Sequence, residues 1–249
     1  MAVAFLLLPL AALLIRAPWG HLAAALSGTD ATQALILSLW TASVTTGISL
    51  VIGVPLAWVL ARTRFPGQRL LRALVTLPLV LPPVVGGVAL LLAFGRTGFL
   101  GRYLNSWFGI TIPFTPAAVV MAQTFVAMPF LIITVEGALR SADQGFEEAA
   151  ATLGAKRMTV FARVTLPLVA PSLAAGAVLC WARALGEFGA TITFAGSFPG
   201  QTETMPIAVY YALQTDPNAA IALSLVLLVV SIAVLVSLRD RWLRGGSVA

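Results

Sequence analysis

Ala117-Ala-Val-Val-Met-Ala-Gln-Thr-Phe-Val-Ala-Met-Pro-Phe-Leu-Ile-Ile-Thr-Val-Glu136-Gly-Ala-Leu139 decides the fold class. It holds one charged residue, and about 20 mostly apolar residues in a helix cross a bilayer core. No alternation of apolar and polar residues competes with the run. Working outward, comparable runs cover Ala34 to Ala61, Leu74 to Phe94, Leu168 to about Leu185, and Ala219 to Leu238. A further run covers Ala2 to Ile15 and reaches Leu26 only by tolerating Arg16, Pro18 and His21. It has no basic n-region, and no clean small-x-small cleavage site follows it. It therefore reads as a retained first helix rather than a signal peptide. The expectation is an all-α, polytopic transmembrane bundle of about six spans. It forms one domain over 1–249, with an extra N-terminal helix at 1–26 and a core at 34–238.

Composition agrees. Of 249 residues, 59% are hydrophobic and 10% charged, and the mean hydropathy is +0.98. Soluble domains are about a quarter charged, so too few charges are present to cover a water-exposed surface. An ordinary soluble enzyme, a disordered chain and a fibrous one are excluded. The segments of about ten alternating residues that a transmembrane barrel needs are absent. Cys180 is the single cysteine and His21 the single histidine. Neither an internal disulfide nor a Cys- or His-based metal site is expected.

The formal charge of +6 points either to nucleic acid or to the accumulation of cations in cytoplasmic loops. Their positions decide. Arg62, Arg64, Arg69 and Arg72 lie between spans two and three. Arg140, Lys156, Arg157 and Arg163 lie between spans four and five. Arg239, Arg241 and Arg244 follow span six. With six spans these regions share one side, and they hold eleven of the fifteen cations. Arg16, Arg96 and Arg102 face the other side. Both termini are expected in the cytoplasm, and nucleic acid is not expected as a partner. Removing the first span would leave the other loops' polarity unchanged.

Span three opens with Leu77-Pro78-Leu79-Val80-Leu81-Pro82-Pro83, followed by Gly86-Gly87. Internal prolines remove helix hydrogen bonds and bend helices, and in lipid the freed carbonyls must find other partners. Two compatible readings follow: a kinked packing helix, or a bent helix lining a pathway at Pro82 and Pro83. Pro129, Pro167 and Pro171 repeat the theme, while Gly47 and Gly53 read as close packing.

The segment Ser141-Ala-Asp-Gln-Gly-Phe-Glu147-Glu148-Ala149-Ala150-Ala151-Thr-Leu-Gly154 predicts a short helix on the cytoplasmic face. Ser141 and Asp143 are candidate caps. Glu147 and Glu148 suit the positive end of the helix dipole. Gly154 can take the left-handed conformation that ends a helix. From these properties alone the helix either packs under the bundle or inserts into a groove on a partner.

Glu148-Ala149-Ala150-x-x-x-Gly154, nine residues, then Val164-x-Leu166-Pro167 resembles the coupling loop of ABC-type importer permeases. Val164 replaces the commoner isoleucine. The resemblance implies a type I permease fold. It also implies a loop over 141–166 that docks on an ATP-binding subunit through Glu147, Glu148, Ala149, Ala150, Gly154, Leu166 and Pro167. Leu77 to Val85, Gly95 to Gly101, Trp107 to Ile110, Ala182 to Phe194 and Pro199 to Pro206 are similar to the molybdate and tungstate branch of that family. Sulfate and thiosulfate permeases share the arginine–glycine–acid pattern of span five, so a sulfate permease is the alternative. Further implied are a second copy of the chain, two ATPase subunits, an extracytoplasmic oxyanion-binding protein, and residence in the bacterial cytoplasmic (inner) membrane.

Candidate pathway residues follow from charge and hydroxyl placement. Arg183 and Glu187 stand four apart on one helical face, and a charge at membrane depth is costly unless paired or wetted. They form either a packing salt bridge or an electrostatic element near an outer gate. Thr191 and Thr193 are either anion donors or hydroxyls bonded to nearby carbonyls. Glu203 and Asp216 fall on the outer side, Glu136 reads as an interfacial charge, and Cys180 as a small buried hydrophobe. Neither Gly-x-Gly-x-x-Gly nor Gly-x-x-x-x-Gly-Lys-Ser/Thr occurs. ATP and Mg are therefore expected on a separate chain, with no cofactor on this one and no catalytic residue. An ion-coupled secondary transporter is disfavoured because the span interiors are nearly free of acids. A membrane enzyme is disfavoured because no catalytic cluster is visible.

Overall fold

The computed structural model describes residues 1–20 and 28–245, and regular structure among them is helical throughout. The helices are α1 (Ala2–Ile15), α2 (Thr29–Arg62), α3 (Gln68–Val80), α4 (Pro83–Phe94), α5 (Gly101–Phe108) and α6 (Pro116–Ser141). There follow α7 (Gly145–Thr152), α8 (Arg157–Leu185, with a π-helical stretch at Phe161–Thr165), α9 (Gly189–Ala195), α10 (Met205–Thr215) and α11 (Pro217–Gly245).

The opening stretch forms α6, the central strut. Thr115 caps it by accepting the Ala118 amide at 3.3 Å, and Pro116 occupies the first turn, where no N–H is needed. α6 packs along α2 and α8. Their shared core contains Ala57, Leu60, Leu131, Ile132, Val135, Leu139 and Cys180, all essentially without solvent contact. A second core joins α4, α6 and α9 through Leu90, Val119, Val126 and Phe194. A third ties the start of α2 to α10 and α11 through Ala34, Met205 and Leu223. Outward-facing positions such as Val51, Ile52, Val80, Leu92 and Val229 are apolar and more than half exposed. Such a surface suits lipid rather than water.

One expectation is refined and one corrected. First, four helices are long and apolar enough to cross a membrane: Asp30–Arg62, Pro116–Ser141, Arg157–Leu185 and Pro217–Val234. A fifth crossing arises if α3 and α4 count as one, so the described residues do not show six. α1 has 14 residues, about 21 Å of helix against a core of about 30 Å. The expected extension to Leu26 falls largely on residues 21–27, outside those described. Second, the run from Leu74 to Phe94 is not one helix. α3 and α4 meet at 117° across Leu81 and Pro82. A proline pushes the residue before it into extended backbone. Leu81 (ψ 134°) and Pro82 (ψ 131°) each precede a proline and are each extended.

Candidate coupling surface and pathway

α7 occupies the predicted coupling loop. Asp143 Oδ1 accepts the Gly145 amide at 2.8 Å, the capping role expected of it. Ser141 does not cap: it is the last residue of α6, and its hydroxyl donates back to the Gly137 carbonyl at 3.0 Å. At the other end Gly154 has φ +85°. Its amide donates to the Ala151 carbonyl at 2.9 Å, and the Ala155 amide donates to the Ala150 carbonyl at 3.1 Å. These crossed bonds form the Schellman stop that a left-handed glycine permits. The chain re-enters helix at Arg157, and the π-helical stretch lies directly before Leu166 and Pro167.

No residue of α7 is buried. Glu148 and Ala149 are exposed and Ala150 is half-buried. Around them Phe146, Leu153 and Met158 are 60%, 90% and 75% exposed. Small, acidic and large apolar side chains thus form one uncovered surface at the arginine-rich end of the bundle.

Glu147 differs from its neighbour Glu148. Its Oε1 accepts Arg62 Nη2 at 2.8 Å and the Thr165 hydroxyl at 3.1 Å. One carboxylate therefore joins α2, α7 and the π-helical stretch of α8. Beside it, Glu136 Oε1 accepts Arg72 Nη2 at 2.7 Å and Nε at 3.0 Å, and pairs with Arg140 at 2.9 Å. Near the end of α2 the Leu60 carbonyl accepts from Gln68 Nε2 at 2.8 Å and Arg140 Nη2 at 3.2 Å. These donors serve a carbonyl that the helix end leaves without an intrahelical partner. Glu136 is therefore the hub of an ion-pair network, not a solitary interfacial charge. A cavity of about 430 Å³ opens between Trp58, Arg62, Glu147, Glu148, Arg157 and Phe161.

The pathway candidates lie elsewhere. Arg183 Nη2 pairs with Glu187 Oε2 at 2.7 Å, with 28% and 1% of the two side chains exposed. Glu187 Oε1 also accepts the Ala190 amide at 2.9 Å. Glu187 thus stitches the break between α8 and α9. Thr193 donates its hydroxyl to the Gly189 carbonyl at 2.8 Å, while the fully buried Thr191 hydroxyl has no hydrogen-bond partner. The break at Glu187 meets the knee at Pro82 and Pro83. A Cβ on Gly189 would lie 2.9 Å from the Pro83 Cβ, and one on Gly87 would lie 2.7 Å from the Thr193 Cβ. Gly189 is thus brought to Pro83 and Gly87 to Thr193, while Pro82 and Pro83 are both exposed.

Asp216 caps α11 by accepting the amides of Asn218 and Ala219 at 3.0 and 3.2 Å. Glu203 accepts the Ser197 hydroxyl at 3.1 Å. Cys180 is fully buried, as expected. Among the described residues no three His, Cys, Asp or Glu side chains form a group that could hold a metal ion. Sequence reasoning missed Arg62, Arg72 and Thr165. Only the Glu136–Arg140 spacing of four carried a local signal.

An apolar bundle with a broken span and an uncovered helix at its basic end defines a membrane transport subunit. The chain matches the family described as binding-protein-dependent transport system inner membrane component over residues 53–245, and it belongs to that family. It is similar to the molybdenum transport system permease protein ModB of Mycobacterium tuberculosis (strain ATCC 25618 / H37Rv). The two are 52% identical over 96% of this chain and 90% of the relative. Identity to the sulfate transport system permease protein CysT of Escherichia coli (strain K12) is 38%, over 97% and 88%. Among solved structures, the fold is similar to that of a bacterial ABC transporter involved in the import of the acidic polysaccharide alginate. The TM-score is 0.76, with 18% identity over 96% of this chain and 90% of that one.

Proposed function

We propose that this chain is the membrane-spanning permease subunit of an ATP-driven importer of molybdate, with tungstate as a second oxyanion of the same charge and shape. What carries the substrate is the 52% identity to a molybdenum permease across nearly the whole chain, against 38% to a sulfate permease. What carries the coupling is the uncovered α7 surface around Glu148, Phe146 and Leu153.

In this reading the arginine-rich end, with the α7 loop and the end of α11, is cytoplasmic. ATP and Mg bind a separate ATPase subunit, two copies of which dock under two copies of this chain. An extracytoplasmic binding protein delivers the anion. The ATPase engages Glu148, Ala149 and the apolar side chains beside them, with Gly154 ending the helix that presents them. Closure of the ATPases moves α7. Because α6 and α8 continue from its two ends, the motion passes into the bundle core and on to the α3–α4 knee and the α8–α9 break. Arg183 keeps part of its side chain accessible while Glu187 pairs with it. It thereby offers a tethered positive charge that attracts an anion without retaining it.

Inside-out vesicles carrying the whole transporter provide the test. They should export labelled molybdate when molybdate and the binding protein are enclosed and ATP is supplied outside. Tungstate should compete strongly and sulfate weakly. Arg183→Ala should abolish transport while the complex still assembles. Competition by sulfate as strong as that by tungstate would replace the substrate assignment, and transport without a P-loop partner would replace the energy source.

A further inference from the structure

We propose that Arg62 makes α2 a directly driven element of the coupling helix, alongside the chain-continuous α6 and α8. The inference rests on the ATPase-coupled reading above.

α7 buries none of its own residues, so apolar packing does not fasten it to the bundle. Beyond its contacts with the adjoining start of α8 and its short connections to α6 and α8, the Glu147 carboxylate ties it to α2. That carboxylate holds Arg62 Nη2 at 2.8 Å, with 7% of the arginine side chain and 20% of the glutamate exposed. Thr165 donates to the same oxygen at 3.1 Å. The Nε and Nη1 of Arg62 are buried without hydrogen-bond partners. The guanidinium therefore has one anionic contact, and separating the pair would leave a largely buried charge unpaired, which is disfavoured. Moving α7 thus moves the end of α2.

α2 can carry that movement far, because it stays one helix through its internal Pro55. Arg62 to Ser38 spans about 36 Å of helix at 1.5 Å per residue. Along the way the Thr45 hydroxyl lies 3.2 Å from Gln123 Oε1 on α6. At the far end the Ser38 hydroxyl oxygen accepts the Met205 amide at 2.7 Å, with both residues buried. The rod is therefore bonded to α7 at one end and to the start of α10 at the other. Arg62 is a positioning residue that acts through Glu147, touching neither ATP nor the transported anion.

The experiment compares molybdate moved per ATP hydrolysed in proteoliposomes of the complete transporter. Failure of the wild-type complex to move molybdate would defeat the functional reading itself. Given a working wild type, Arg62→Gln and Glu147→Gln should assemble and hydrolyse ATP, yet move about tenfold less molybdate per ATP, an ordinary coupling magnitude. Arg62→Lys, which keeps the charge, should recover part of the ratio. The double exchange Arg62→Glu with Glu147→Arg should recover more than either of its single changes. A wild-type ratio in every assembled variant overturns the proposal. So does loss of transport strictly in step with loss of assembly. Should the glutamine variants fail to assemble, the lysine variant and the exchange decide by the same ratio.

Discussion

Gly87 and Gly86 show how far neighbouring residues of one motif can differ. A Cβ on Gly87 would meet the Ala190 carbonyl oxygen at 2.8 Å and its Cα at 3.0 Å, both backbone atoms of α9. A Cβ on Gly86 would meet the Phe125 ring at 2.9 Å, and a ring edge can turn away. Gly87→Ala should therefore cost about 1–3 kcal/mol, the usual range for overpacking, and Gly86→Ala less. Thermal melting of the detergent-purified chain checks the order, and equal melting temperatures would refute it. Gly-Gly was legible as close packing, but which glycine met backbone was not, because α9 is about a hundred residues away in the chain. The same limit hid Arg62 from Glu147. Helical spacing reports neighbours at three and four residues, and this pair is separated by 85.

At the scale of the element, α7 was the best-read part of the chain. Its start at Asp143 and its stop at Gly154 are local backbone physics, so the residues alone announce them. The space around Gly154 is open, with no atom within 4 Å of a Cβ, yet its φ is +85°. A substitution there is penalised by the backbone alone, by about 1–2 kcal/mol for a left-handed residue other than glycine. Gly154→Asn, which tolerates that conformation, should transport nearly normally, whereas Gly154→Val should not. Glu148→Lys leaves an exposed position exposed, so the chain should fold while the ATPase co-purifies poorly. Pull-down of the tagged ATPase separates the two effects, and full recovery with Glu148→Lys would remove Glu148 from the docking surface. The α3–α4 element was half legible. Its prolines predicted a bend, but a bend of 117° depends on how α4 seats against α6 and α9.

For the whole molecule, orientation is the open consequence of the charge pattern. Leu153 lies at the arginine-rich end and is 90% exposed, while Trp107, near the end of α5, is 72% exposed. The single native cysteine is buried. In a Cys180→Ala background, Leu153→Cys should react with a membrane-impermeant maleimide in inside-out vesicles and Trp107→Cys in right-side-out cells. The reverse pattern would invert the topology. Span counting shows where composition falls short. Ala2–Ile15 is as apolar as any span, yet its helix ends after 14 residues at Arg16, before it has the length to cross.

The sequence by itself determined that this is a membrane-embedded helical protein, which end of it is basic, and where α7 begins and ends. Each of these follows from local composition, helical period or backbone preference. Tertiary structure alone decided which carboxylate ties α7 to α2, that Glu136 serves two arginines, and that the knee at Pro83 meets Gly189 at the break between α8 and α9. Those are contacts between distant segments, created by packing, and the order of residues along the chain carries no direct record of them.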